Sequence, residues 1–256
     1  MRIRLDLAIN LCFVKDALAK PTSECDRKII ITHICTDTRE LCYGDLFFAL
    51  AGEKYDGECF LKDAKALGAI CVGRNPEYSD VAVSDTKAAL QSLAAAYLDA
   101  LMPKEVVAIT GSCGKTTTKN LVYDILKSKF KVHATRGHLN NEYGVPLTVL
   151  SMPKDTEILV LECGMNHKGE LLSISECIRP TLSVITNIGS AHIGNFGSRE
   201  KIAEAKKEIL EYARNPLCLI PNNEQLLSAD YGIFAPGIPE TRLILFYQTF
   251  PVAFVF

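Results

Sequence analysis

Apolar residues along this chain follow two rhythms, and each predicts a different kind of element. Leu46-Phe47-Phe48-Ala49-Leu50 is a continuous apolar run, entered through Gly44-Asp45 and left through Gly52. Its length and its glycine borders predict a short buried strand. Ala64 to Leu67, then Gly68, then Ala69-Ile70-Cys71-Val72 reads as helix, glycine stop and strand. Between Thr86 and Met102, Leu90, Leu93, Ala94, Tyr97, Leu98 and Leu101 recur at helical spacing on one face. Ser84 or Asp85 is placed to cap the start of that helix, and Pro103 to close it.

From Glu105 the pattern becomes a strand–helix alternation. Val106 to Ile109 predicts a strand and Thr116 to Lys127 a helix. Ile158 to Leu161 predicts a strand, followed by a helix near Glu170 to Cys177. Leu182 to Ile185 predicts another, followed by a helix from about Arg199 to Ala213. Near-continuous apolar strands alternating with helices imply a parallel sheet covered on both faces. The expected fold class is therefore α/β. A small mixed α/β domain over residues 1–84 precedes a parallel-sheet domain of the P-loop type over residues 85–256, with the 86–102 helix as the connection. In such sheets ligands bind beyond the C-terminal ends of the strands, so the residues directly after each strand carry the interest. The apolar tail from Leu243 to Phe256 reads either as a core strand lacking its partners or as a truncated or frame-altered end, and exposed it would be an aggregation hazard.

Charge and cysteine content narrow the function classes. Lys and Arg number 28 against 30 Asp and Glu, a net charge of −2. Neither nucleic acid nor an anionic membrane is an expected partner, and any phosphate must be held by a local constellation. No apolar run reaches the length of a membrane span, so no membrane insertion is expected. The ten cysteines form no C-x-x-C pair and no Cys/His cluster at zinc spacing. Near the N-terminus Arg4 and Asp6 interrupt the apolar residues, which argues against a secretory signal. A reducing cytoplasm is expected, with free thiols that are mostly small core residues.

The strongest chemical signal follows the first strand of the alternation: Thr110-Gly111-Ser112-Cys113-Gly114-Lys115-Thr116-Thr117. Glycines let the backbone curl until several N–H groups point inward, and the next helix presents its positive end. Lys115 adds a mobile charge for the β- and γ-phosphates of a nucleotide, and Thr116 a hydroxyl for Mg²⁺. The string is shorter than the full G-x-x-x-x-G-K-[ST] pattern, because Ile109 stands where the first glycine would be. Its place between a strand and a helix restores its weight.

Three further polar residues belong to the same sheet. Glu162 directly follows Ile158 to Leu161 and is placed to reach a metal held by Thr116; a helix-capping or solvent-facing acid is the other reading. His192 lies in the loop Thr186 to His192 past the next strand, a position that suits metal or phosphate contact. Lys206 falls inside the apolar stripe of Ile202, Ala203, Ile209, Leu210 and Ala213, whereas Lys201 and Lys207 fall outside it. A lysine on a buried face needs an anion or a chemical modification; a snorkelling side chain is the alternative.

Taken in order and spacing, these segments resemble the ATP-dependent Mur ligases of bacterial cell-wall synthesis. The resemblance is carried by Thr36-Asp37-Thr38-Arg39 with Gly44 to Leu50, by Asp56-Gly57, and by the loop Ile109 to Lys119. It continues through Asn140-Asn141-Glu142-Tyr143-Gly144-Val145-Pro146, Glu162 to Glu170, Ile185 to His192 and Phe196 to Glu200. The segment from Gly164 to Glu170 is most similar to the branch that joins D-Ala-D-Ala to a UDP-N-acetylmuramoyl tripeptide; the alternatives are a branch that adds a single amino acid and a truncated nucleotide-binding fragment without turnover. The resemblance implies ATP and Mg²⁺ as cofactors and an acyl-phosphate intermediate. It also implies a monomer acting in peptidoglycan precursor synthesis. It assigns Lys115, His192 and Lys206 to catalysis, with Lys206 carbamylated, and Thr116, Glu162, His192 and carbamylated Lys206 to metal. Thr38, Arg39, Asn140 and Asn141 are assigned to the donor substrate. His138 stands where the family usually has Asn, and Glu58-Cys59 where a His usually follows Asp-Gly. The family carries a further C-terminal domain with no counterpart in this sequence, so incomplete catalysis by the chain alone is expected.

Overall fold

The computed structural model describes residues 1–52, 56–215 and 217–220. The tail 243–256 and the segment 221–224, a candidate continuation of the central domain, lie outside them. The elements run β1 (Arg2–Asn10), α1 (Leu11–Ala17), β2 (Ile30–Cys35), β3 (Leu46–Phe48), α2 (Leu61–Ala66), β4 (Ile70–Gly73), β5 (Val81–Ala82) and α3 (Thr86–Leu101). They continue β6 (Glu105–Thr110), α4 (Lys115–Leu126), β7 (Val132–Ala134), α5 (Gly144–Leu150), β8 (Ile158–Glu162) and α6 (Glu170–Ile178). Last come β9 (Leu182–Ile185), α7 (Ile193–Phe196), α8 (Arg199–Lys207) and β10 (Cys218–Leu219).

Two compact units result. The first comprises residues 1–102 and 142–156, the second 103–141 and 157 onward. This division differs from a single break after residue 84. Helix α3, read from sequence as a connection, packs inside the first unit, because the buried face of Leu90, Leu93, Ala94, Tyr97 and Leu98 needs a core to cover it. The Tyr97 hydroxyl accepts the Leu7 N–H at 3.0 Å. Helix α5, every residue of which is buried, belongs to the same unit.

In the first unit the sheet order is β1-β2-β3-β4-β5, antiparallel between β1 and β2 and parallel thereafter. Leu46, Phe47 and Phe48 are the buried strand that their apolar run predicts. Gly68 ends α2 at φ +80°, a left-handed conformation that favours glycine, and the exposed Tyr43 ring lies over it. Asp85 caps α3 as expected: its Oδ1 accepts from Lys87 N at 2.8 Å and Ala88 N at 3.1 Å.

In the second unit the sheet is fully parallel with the order β10-β9-β6-β8-β7. One face, with Val107, Ile109, Val160 and Val184, packs against Leu126 and Val122 of α4. The opposite residues Val106, Ala108, Leu159 and Leu161 are fully buried too, so both faces are covered. Strand β6 lies between β8 and β9. The chain leaves β6 towards β7 on one side and leaves β9 towards β10 on the other. This reversal is the topological switch point at which parallel sheets bind ligands. Helix α8 stops earlier than its sequence suggests, tightening to a 3₁₀ turn at Glu208–Leu210. There the buried Glu208 carboxylate turns away to accept the Gly169 N–H at 2.9 Å, serving as a remote cap for α6.

All ten cysteines are unbridged, but only five are buried; Cys25, Cys42, Cys59 and Cys113 are exposed. The expectation of mostly core thiols is corrected to that extent, because several lie in loops rather than on apolar faces. No helix among the described residues is long and apolar enough to cross a membrane.

Candidate functional site

Residues from three consecutive strand ends converge at the switch point. Strand β6 delivers the loop Gly111 to Gly114, and α4 opens at Lys115. Gly111 takes φ +143° and Gly114 φ +80°, conformations that let the backbone N–H groups turn inward. Lys115 Nζ donates to the Gly111 carbonyl at 2.8 Å, folded over its own loop. Thr116 Oγ1 donates to Glu162 Oε2 at 2.9 Å, which joins the start of α4 to the end of β8.

Glu162 is held from several sides although only 3% exposed. Its Oε1 accepts from Asn140 Nδ2 at 2.8 Å, and its backbone N–H is bound by Thr135 Oγ1 at 2.9 Å. The Thr135 carbonyl in turn takes the buried Lys119 ammonium at 2.9 Å. Asn140 thus lies against the carboxylate, and its carbonyl accepts the Gly164 N–H at 2.6 Å. The oxygens of Thr116 and Glu162 are a hard donor set that suits Mg²⁺, an ion that keeps waters and phosphate oxygens in its remaining positions. No group of three or more His, Cys, Asp or Glu able to hold a metal occurs among the described residues.

Lys206 is 3% exposed on α8, so the buried-face reading of its position is correct and the snorkelling alternative is not. No hydrogen bond or ion pair reaches its ammonium among the described residues. Burial, and then the positive charge of Lys115, push its pKa down to about 8. A buried ammonium that feels a second positive charge makes a place that favours an anion. His192 is exposed at the start of α7 with φ +62°, and its ring makes no hydrogen bond or ion pair among the described residues.

The first unit has a site of its own. A cavity of ≈ 560 Å³ opens at the C-terminal ends of β2 and β3, lined by Thr36, Thr38, Arg39, Phe47, Phe60 and Tyr143 among others. Thr38 and Arg39 begin a 3₁₀ turn capped by Asp37, whose Oδ1 accepts the Arg39 N–H at 3.1 Å. The Arg39 guanidinium grips both Asp37 oxygens, at 2.9 and 2.6 Å, and holds that carboxyl well below the usual range. Gly57 is obligatory beside the cavity, since a β-carbon would stand 2.7 Å from the Ala49 and Leu50 backbone. Glu58, one of the two departures after Asp-Gly, binds the N–H groups of Arg74 at 2.6 Å and Asn75 at 3.0 Å. It therefore braces the turn after β4.

Two residues at the phosphate loop were not singled out from the sequence. Thr186 Oγ1 donates to the Cys113 carbonyl at 2.6 Å, and Asn187 Oδ1 accepts from both Ser112 N and Cys113 N at 3.0 Å. The signal was present: both follow β9 directly, as Glu162 ends β8.

Residues 109–233 match the Mur ligase middle domain. The chain is 44% identical over 227 residues to the UDP-N-acetylmuramoyl-tripeptide–D-alanyl-D-alanine ligase of Bacillus subtilis (strain 168), an alignment covering 86% of this chain and 49% of that one. It is 38% identical over 234 residues to the Synechocystis protein of the same name, covering 89% and 51%. A crystal structure of MurF from Acinetobacter baumannii superposes with a TM-score of 0.78 at 32% identity, over 89% of this chain and 51% of that one. MurF from Thermotoga maritima in complex with ADP gives a TM-score of 0.72 at 34% identity, over 77% and 47%. The chain spans about half the length of the curated relatives it matches.

Proposed function

Because the chain belongs to the Mur ligase family, we propose that it serves ATP-dependent amide formation joining D-Ala-D-Ala to a UDP-N-acetylmuramoyl tripeptide. The observation that carries the reading is the switch-point site, where Lys115 and Thr116 open α4 and Glu162 stands 2.9 Å from the Thr116 hydroxyl. In the reaction, the terminal carboxylate of the tripeptide attacks the γ-phosphorus of ATP and ADP leaves. The amine of D-Ala-D-Ala then attacks the acyl phosphate, losing a proton as phosphate departs.

Each residue has a part in that sequence. Lys115 leaves the Gly111 carbonyl and neutralises the β- and γ-phosphates; the N–H groups of the loop orient them, through Thr117 at the first turn of α4. Thr116 and Glu162 would hold Mg²⁺, which supplies further neutralisation of the transferring phosphoryl group. His192, exposed beyond β9, would face a second metal. Lys206 would join it once its neutral amine adds to CO₂ and releases a proton, giving a carbamate that answers the burial of a lysine on an apolar face. The cavity with Thr38 and Arg39 would take the uridine nucleotide of the donor, and the loop with Asn140 and Asn141 its sugar and peptide. The setting would be cytoplasmic synthesis of peptidoglycan precursors by a monomer, and so cell-wall growth, shape and division.

Isothermal titration of the chain with Mg²⁺ and a non-hydrolysable ATP analogue tests the nucleotide half of this reading. Lys115→Ala is expected to weaken binding by about tenfold or more, as removal of a charge-assisted contact does. A well-folded wild-type chain that bound no nucleotide would overturn it. Phosphate release with the UDP-tripeptide, comparing D-Ala-D-Ala with D-Ala as acceptor, separates the dipeptide reading from addition of a single amino acid.

A further inference from the structure

The phosphate loop of this chain is short, and its shape is held from outside. Ile109, standing where the full pattern has its first glycine, is fully buried inside β6, so the loop begins only at Gly111. A loop of four residues between strand and helix has few groups with which to wrap itself. Its contacts come instead from the segment after β9. Thr186 N donates to the Thr110 carbonyl at 2.9 Å, extending the β6–β9 ladder to the edge of the loop. Gly111 lies so close to Thr186 that a β-carbon would stand 1.8 Å from Oγ1. Gly189 N donates to Ser112 Oγ at 2.8 Å.

The centre of this brace is the half-buried Asn187. Its Oδ1 accepts two successive loop N–H groups, Ser112 and Cys113, its backbone carbonyl shares the Ser112 N–H at 3.1 Å, and its Nδ2 points at the Cys113 thiol. One acceptor gathering two neighbouring N–H groups fixes the peptide planes between them, and so the path of the backbone into Gly114 and the start of α4. A neutral carboxamide performs this without placing a negative charge under the phosphates, where Lys115 and Lys206 already set a positive field. We infer that Asn187 is a positioning residue for the nucleotide: it presets the short loop in its anion-accepting shape from the neighbouring strand. This rests on the nucleotide-binding reading above and adds to it a residue that touches the loop backbone rather than the ligand.

Two measurements on the purified chain test it. Amide exchange, followed without ligand, is expected to speed up at Cys113 in Asn187→Ala, to change less at Ser112, whose N–H keeps the Asn187 backbone carbonyl at 3.1 Å, and to stay at the wild-type rate at Val107, Ala108 and Ile109 in β6. Titration with Mg²⁺ and the ATP analogue is expected to show about tenfold or weaker binding for Asn187→Ala, the scale of losing preorganised hydrogen bonds. Asn187→Asp separates position from charge: it keeps the acceptor and therefore the slow exchange, yet binds the analogue more weakly than wild type because its carboxylate repels phosphate. Unchanged exchange at Cys113 in Asn187→Ala, or affinity within twofold of wild type, overturns the inference. Absence of nucleotide binding by the wild-type chain would instead bring down the reading it rests on, and the ligand-free exchange result would still judge the brace by itself.

Discussion

At the scale of single residues, the most informative is Lys206. It is buried on α8 with no partner for its ammonium among the described residues, and its pKa is pushed down to about 8 from an ordinary 10.5. The depressed value fixes the sign of its effect on stability. Between pH 8 and 10.5 the unfolded chain holds this proton more firmly than the folded one, so stability rises with pH across that window and the penalty is fully present below it. Lys206→Met fills the same volume without the charge. In CO₂-depleted buffer at pH 7 it is expected to raise stability by about 1–3 kcal/mol, read by urea denaturation, and to remove this part of the rise above pH 8. An unchanged or lowered midpoint would show that the ammonium has a counter-charge. The sequence made Lys206 legible because 100° periodicity puts it on the same face as Ile202 and Ile209. Asn187 was harder to see, since asparagine after a strand is a common loop residue and only the neighbouring loop gives it meaning.

At the scale of elements, local chemistry accounts for most boundaries. Asp85 starts α3 because its carboxylate satisfies two backbone N–H groups that the helix leaves open. Asp85→Ala is expected to cost about 1 kcal/mol, measured as a shift in urea midpoint, while Ser84→Ala is expected to cost much less. Equal effects of the two would mean that the cap is shared. Helix α8 shows where local reading stops. Its apolar stripe continues to Ala213, yet the helix tightens at Glu208 because that side chain is bound to Gly169, thirty-nine residues away in the chain. Periodicity reports which face a helix buries; it does not report a capping partner from another element.

At the scale of the whole molecule, each compact unit carries its own candidate site. The ATP analogue with Mg²⁺ is expected to slow amide exchange at residues 111–117, and a uridine nucleotide at residues 36–39 and 50–52. Protection of the same segments by both ligands would merge the two sites into one and refute the assignment. The sequence by itself determined the alternation of strands and helices, the parallel sheet of the second unit and the glycine-bearing turn between β6 and α4. It also determined the residues Glu162 and Lys206, because apolar periodicity and glycine placement are local properties of the chain. Only the tertiary structure decided the membership of α3 and α5 in the first unit, the pairing of Thr116 with Glu162, and the bracing of a short phosphate loop by Asn187. The last two depend on the strand order that sets β9 and β8 on either side of β6, a long-range arrangement that sequence spacing does not encode.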